Sequence, residues 1–114
     1  MKCVVIGEAG IAVHVVAKLL SEGHELLGVV AGSNDFAEHL QDLHPDIPAL
    51  GPEEGGWVEW VLGLGDCDLF ISALNLRRIP HVLIAHARVA AINFHDALLP
   101  RHAGLFAPQM AIAC

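Results

Sequence analysis

The chain has 114 residues, six Lys+Arg against 13 Asp+Glu, a formal net charge of −7 and a mean hydropathy of +0.54. That length fits one domain or part of one, and the 54% hydrophobic content excludes a disordered tail. The charge balance argues against a protein that wraps duplex nucleic acid, and the absence of Tyr argues against a base-stacking platform. No uncharged apolar run reaches the roughly 18 residues of a membrane span, because Glu8, Lys18, Glu22 and Glu25 interrupt the greasiest stretch. Glu8 also falls where a signal peptide keeps an unbroken apolar region. The three cysteines, Cys3, Cys67 and Cys114, are odd in number and have no C-x-x-C spacing, which suits a reducing, cytoplasmic setting.

Lys2–Gly7 (KCVVIG) is a short β-branched run ending in Gly and predicts a buried parallel strand. Gly7–Gly10 then makes a turn. Apolar residues at Ile11, Val15, Leu19 and Leu20 predict a helix over 10–22 that packs on a sheet, with Gly23 placed to end it in the left-handed conformation. Glu25–Ala31 (ELLGVVA) predicts the second strand, completing a βαβ unit with a right-handed crossover. A short helix is predicted over Asp35–Leu43, and a brief strand at Ile47–Leu50 within a proline-rich loop. Residues 53–65 predict a further helix with Trp57, Trp60, Val61 and Leu64 on one face, weakened by Gly55, Gly56 and Gly63. Asp68–Leu74 (DLFISAL) predicts a strand, Pro80–Ala87 a short helix with Pro in its first turn, and Val89–His95 (VAAINFH) another strand. Residues 98–104 read as loop and 105–113 as the start of a helix. Alternating strands and helices predict an open, mostly parallel α/β sheet with flanking helices. Nothing recognisable closes the chain, which ends at Cys114 within an apolar stretch. The expectation is therefore the front part of a single larger domain, which in isolation would self-associate through the apolar surface and unpaired sheet edge it exposes.

In open parallel sheets, ligands bind beyond the carboxyl ends of the strands, where the strand order reverses. Asn93 and His95 end the last predicted strand two residues apart, a spacing that puts both side chains on one face. Unpaired buried polar groups cost about 1–3 kcal/mol each, so a polar pair at the end of an apolar strand is hard to explain as core: either Asn93 turns the following loop and His95 is a satisfied hydrogen bonder, or the two form a site.

The stretch Ile92-Asn93-Phe94-His95-Asp96-Ala97-Leu98-Leu99-Pro100-Arg101-His102-Ala103-Gly104 resembles the signature of the formyltetrahydrofolate-dependent formyltransferases, a family with a Rossmann-like sheet. Leu76-Arg77-Arg78-Ile79 resembles that family's pterin-binding loop, and Lys2–Gly10 with Gly23–Ala31 is similar to its first βαβ unit. The detail of Ile6-Gly7-Glu8 and Asn93-Phe94-His95-Asp96 most resembles the formyltransferase-like modules at the front of some peptide synthetases.

The resemblance implies transfer of a formyl group from 10-formyltetrahydrofolate to a primary amine, with an aminoacyl group on a peptide-synthetase carrier as the favoured acceptor. Nucleic acid enters only if the acceptor is a tRNA. It implies that Asn93 donates its amide N–H to the tetrahedral oxyanion and that His95 stabilises that oxyanion or moves protons. It also implies that Leu76, Arg77, Arg78 and Ile79 line the pterin pocket, mostly through backbone groups. The family's third catalytic residue, an Asp about three dozen positions after the His, would fall beyond Cys114. The resemblance thus implies that this stretch alone is inactive.

Other readings compete. Gly7-Glu8-Ala9-Gly10 suggests a dinucleotide-binding turn, but Ala9 replaces the second Gly of the fingerprint and Glu8 places a negative charge where phosphates would lie. The eight histidines form no H-x-x-x-H or H-E-x-x-H pattern, so no metal site is expected. Ser72 lacks the glycines of a nucleophile elbow, Cys3 and Cys67 read as small buried hydrophobes, and Trp57 and Trp60 as core packing. The remaining possibility is a non-catalytic accessory or remnant module.

Overall fold

A computed structural model describes residues 1–51, 55–73 and 79–94. In chain order the elements are β1 (Lys2–Gly7), α1 (Ala9–Ser21), β2 (Glu25–Ala31), α2 (Asn34–Leu43), β3 (Ala49–Leu50), α3 (Trp57–Gly63), β4 (Cys67–Ala73), α4 (His81–His86) and β5 (Ala87–Phe94). The five strands form one sheet in the order β3-β2-β1-β4-β5, and every pairing is parallel. This is a Rossmann-like α/β arrangement. The chain winds outward from β1 through β2 to β3, crosses back over β1, and continues through β4 to β5.

The strands are near-continuous apolar runs because both faces of the sheet are covered. Alternate residues of a strand point to opposite faces, and the core divides accordingly. Cys3 and Val5 of β1 pack with Ala12, Val16 and Leu19 of α1 and with Phe36 and Leu40 of α2. Val4 and Ile6 pack on the other side with Val61 of α3, Phe70 of β4 and Leu83 of α4. Right-handed crossovers place α1 and α2 on one face and α3 and α4 on the other.

The predicted elements are all present where the structure describes them, with altered bounds. The buried line of α1 is Ala12, Val16 and Leu19, with Ile11 and Val15 only half-buried beside it. The reason lies in Gly7: a Cβ there would come within 3.1 Å of the Ala12 Cβ, so the small residues sit where helix and sheet approach closest. Gly23 ends α1 as expected, at φ 85°. The Gly23 and His24 N–H groups donate to Leu20 and Leu19 carbonyls at 3.1 and 3.0 Å, which satisfies the last turn.

The expected β3 shrinks to two residues, and α3 begins at Trp57 rather than in the low fifties. Gly56 adopts a left-handed φ of 73° at its N-cap and cannot continue a helix backwards. Pro80 is the N-cap of α4 rather than its first residue. Trp60 packs against the α3/α4 core with Trp57, its seat provided by Gly28, where any Cβ would lie 2.9 Å from the indole. The predicted loop at 98–104 and helix at 105–113 lie outside the described residues. No helix among the described residues is long and apolar enough to cross a membrane.

Candidate functional site

The strand order reverses between β1 and β4, so the crevice of this sheet opens beyond the carboxyl ends of those strands. Four termini converge there: Gly7 of β1, Ala31 of β2, Ala73 of β4 and Phe94 of β5. Backbone hydrogen bonds lock this rim. The Glu8 N–H donates to the Ala73 carbonyl at 3.2 Å, and the Gly32 N–H donates to the Gly7 carbonyl at 2.8 Å.

Asn93 is the penultimate residue of β5 and is exposed. It stands in register with Ser72, which is in register with Ile6. Ile6 belongs to the α3/α4 core, so Asn93 projects on that face. Ser72 is buried, the one buried polar residue among the described residues. Neighbouring strands lie about 4.8 Å apart, which sets Asn93 roughly 10 Å from β1 across the sheet. Ile79 is half-buried against the same core as Leu83, on the same side as Asn93. His95, Leu76, Arg77 and Arg78 lie outside the described residues.

A second set of residues lies at the same rim on the opposite face. An open cleft of about 540 Å³ between α1 and α2 is lined by Glu8, Gly10, Val13, His14, Ser33, Asp35, Phe36 and His39. Ser33 is the N-cap of α2 and accepts from the Phe36 N–H at 3.1 Å. Its hydroxyl donates to Glu8 Oε1 at 2.8 Å. This contact escaped the sequence reading because it joins residues 25 apart. The available signal was Ser33 itself, a cap residue one glycine beyond a buried strand.

The cysteines behave as expected of buried hydrophobes: Cys3 and Cys67 are 0% and 1% exposed and belong to opposite faces of the sheet. Burial pushes the Cys67 thiol up to about 11, with the neighbouring Cys3 and Asp68 adding to the shift. Burial likewise raises Cys3. Neither is suited to act as a thiolate nucleophile near neutral pH. A raised thiol pKa keeps the proton in the folded state, so this stability is complete below the unfolded value near 9.0 and is lost as pH rises towards 11. Urea titrations are expected to lose about 2 kcal/mol across that window, with Cys67→Ala flattening the decline. Equal decline in both proteins would contradict the assignment to Cys67. Among the described residues, no group of three or more His, Cys, Asp or Glu is placed to hold a metal ion.

Comparison with known proteins finds no matching family model. The chain is 28% identical over 117 aligned positions to a methionyl-tRNA formyltransferase from Bacillus thuringiensis subsp. konkukian (strain 97-27), covering 91% of this chain and 37% of that protein. It superposes with a TM-score of 0.53 and 19% identity on a crystal structure from Erwinia carotovora atroseptica, of a protein provisionally named an oxidoreductase. That alignment covers 96% of this chain and 34% of the other. The chain thus spans about a third of the length of each. The structural likeness bears on the fold alone.

Proposed function

We propose that this chain is the folate-side part of an N-formyltransferase that uses 10-formyltetrahydrofolate as donor. The sequence similarity to a methionyl-tRNA formyltransferase over 91% of the chain supports a formyltransferase-like role. The observation that carries the reading in the structure is the position of Asn93, at the carboxyl end of β5 and on the same face as Ile79.

In the proposed chemistry the amine nitrogen attacks the formyl carbon. A carbon–nitrogen bond forms, the bond to the folate nitrogen breaks, and the amine's proton passes to the departing folate. The Asn93 amide donates to the oxyanion of the intermediate, and His95 stabilises it or carries the proton. Leu76, Arg77, Arg78 and Ile79 hold the pterin ring, mostly through backbone groups. The Ile79 side chain faces the core, which leaves its backbone for that task. The acceptor is a primary amine, with an aminoacyl group on a peptide-synthetase carrier preferred and a tRNA-borne one the alternative. The setting is the cytoplasm.

Two other readings remain as outcomes of the test. A dinucleotide module shares this strand order, but Glu8 stands at its phosphate turn. A non-catalytic module needs no ligand at all. Fluorescence titration of the chain with 10-formyltetrahydrofolate and, separately, with NADH distinguishes the three. Saturable binding of the folate, at least tenfold tighter than NADH, is expected. Preference for NADH would favour the dinucleotide module, and equally weak binding of both would leave the non-catalytic one.

A further inference from the structure

The cleft between α1 and α2 lies on the opposite face of the sheet from Asn93 and is not used by the proposed formyl transfer. It sits over the carboxyl ends of β1 and β2, the region where a sheet of this strand order receives the phosphates and ribose of a dinucleotide. Its described lining contains two carboxylates, Glu8 and Asp35, two imidazoles, His14 and His39, and no Lys or Arg. Val13 and Phe36 supply its apolar surface.

Glu8 is held in position. Its side chain leans over Gly32, where a Cβ would lie 3.1 Å from Oε2 and 3.3 Å from the Glu8 Cβ and Cδ. The Ser33 hydroxyl fixes Oε1 from the other side at 2.8 Å. The carboxylate therefore occupies the wall between the β1–α1 and β2–α2 turns, and Asp35 adds a second negative charge within the first turn of α2.

We infer that Glu8 is a specificity-determining residue: its carboxylate, positioned by Ser33, makes the α1/α2 cleft reject phosphate-bearing ligands that the fold would otherwise admit. A partly buried carboxylate repels a phosphate several ångströms away more strongly than an exposed one, because less water screens the pair. The cleft in its native form is selective for uncharged or cationic molecules with an apolar portion. Glu8→Gln keeps an acceptor for the Ser33 hydroxyl while removing the charge, and so isolates this effect.

The test titrates inorganic pyrophosphate and ADP into the wild-type chain, Glu8→Gln, Glu8→Ala and Glu8→Asp by calorimetry at low salt. Gln and Ala are expected to tighten binding of both ligands about tenfold or more, and Asp to leave it unchanged. Addition of 0.5 M salt should shrink the difference. Circular dichroism of each variant confirms its fold, and having two neutral variants keeps the test decisive if one fails to fold. Equal affinity in all four proteins would overturn the inference. So would pyrophosphate or ADP bound by the wild type as tightly as by Glu8→Gln. Because no formyl donor enters the experiment, its outcome is independent of the folate reading.

Discussion

Asn93→Ala is expected to lower the rate of formyl transfer about 10²–10³-fold, the usual cost of removing one donor from an oxyanion site. The effect should fall on the chemical step, because the amide meets a full negative charge only in the tetrahedral intermediate. Affinity for 10-formyltetrahydrofolate should change by no more than about threefold. The measurement is single-turnover transfer to a small primary amine, in whichever polypeptide containing this segment is competent for it. Asn93→Asp, similar in size but without the N–H donor, should be no better than Ala. A variant that kept its rate, or that lost folate binding and rate together, would remove Asn93 from the proposed role.

The largest expected effect on stability comes from Gly7→Ala. A Cβ at this position would overlap the Ala73 carbonyl oxygen and crowd the Ala12 Cβ at 3.1 Å. The oxygen belongs to the β4 backbone and is already fixed by the Glu8 N–H, so it has no rotamer by which to move aside. Relief requires β1 and β4 to part at the centre of the sheet, next to the fully buried Val5 and Ile6. Overpacking typically costs 1–3 kcal/mol. A clash with backbone in a central strand pair belongs at the upper end, about 3 kcal/mol, a large fraction of a small domain's total. Urea denaturation of the two proteins checks this. By contrast Gly10→Ala, at a position where a Cβ meets nothing within 4 Å, should be neutral or mildly stabilising in a helix. Equal stability of Gly7→Ala and wild type would mean that the rim is looser than its hydrogen bonds indicate.

Much of the fold was legible in particular residues. KCVVIG, ELLGVVA and DLFISAL are apolar runs of strand length bounded by turn residues, and their described residues form strands because two helical layers cover both faces of the sheet. The order of those strands was not legible. That β4 returns to pair with β1 depends on side chains far apart in the chain, such as Val4 meeting Phe70 and Leu83, and no local pattern encodes it. The face of α1 was misplaced by one residue because Ile11 and Val15 are greasier than Ala12, yet Ala12 alone fits beneath Gly7. At the candidate site, the place of Asn93 near the end of β5 was legible because a polar residue interrupts an apolar run there. The Glu8–Ser33 contact was not, since it arises only when β1 and β2 are aligned side by side.

The return from β3 across the sheet has a consequence for synthesis on the ribosome. Residues 1–50 contain β1, β2 and β3 with α1 and α2, so a nascent chain that has emerged as far as Leu50 can cover only one side of these strands. Val4, Ile6 and Val30 wait bare until Val61, Phe70 and Leu83 emerge. Such long-range closure slows folding and leaves the half-made sheet exposed to unwanted neighbours. The half-emerged polypeptide is therefore the point at which chaperones would matter most.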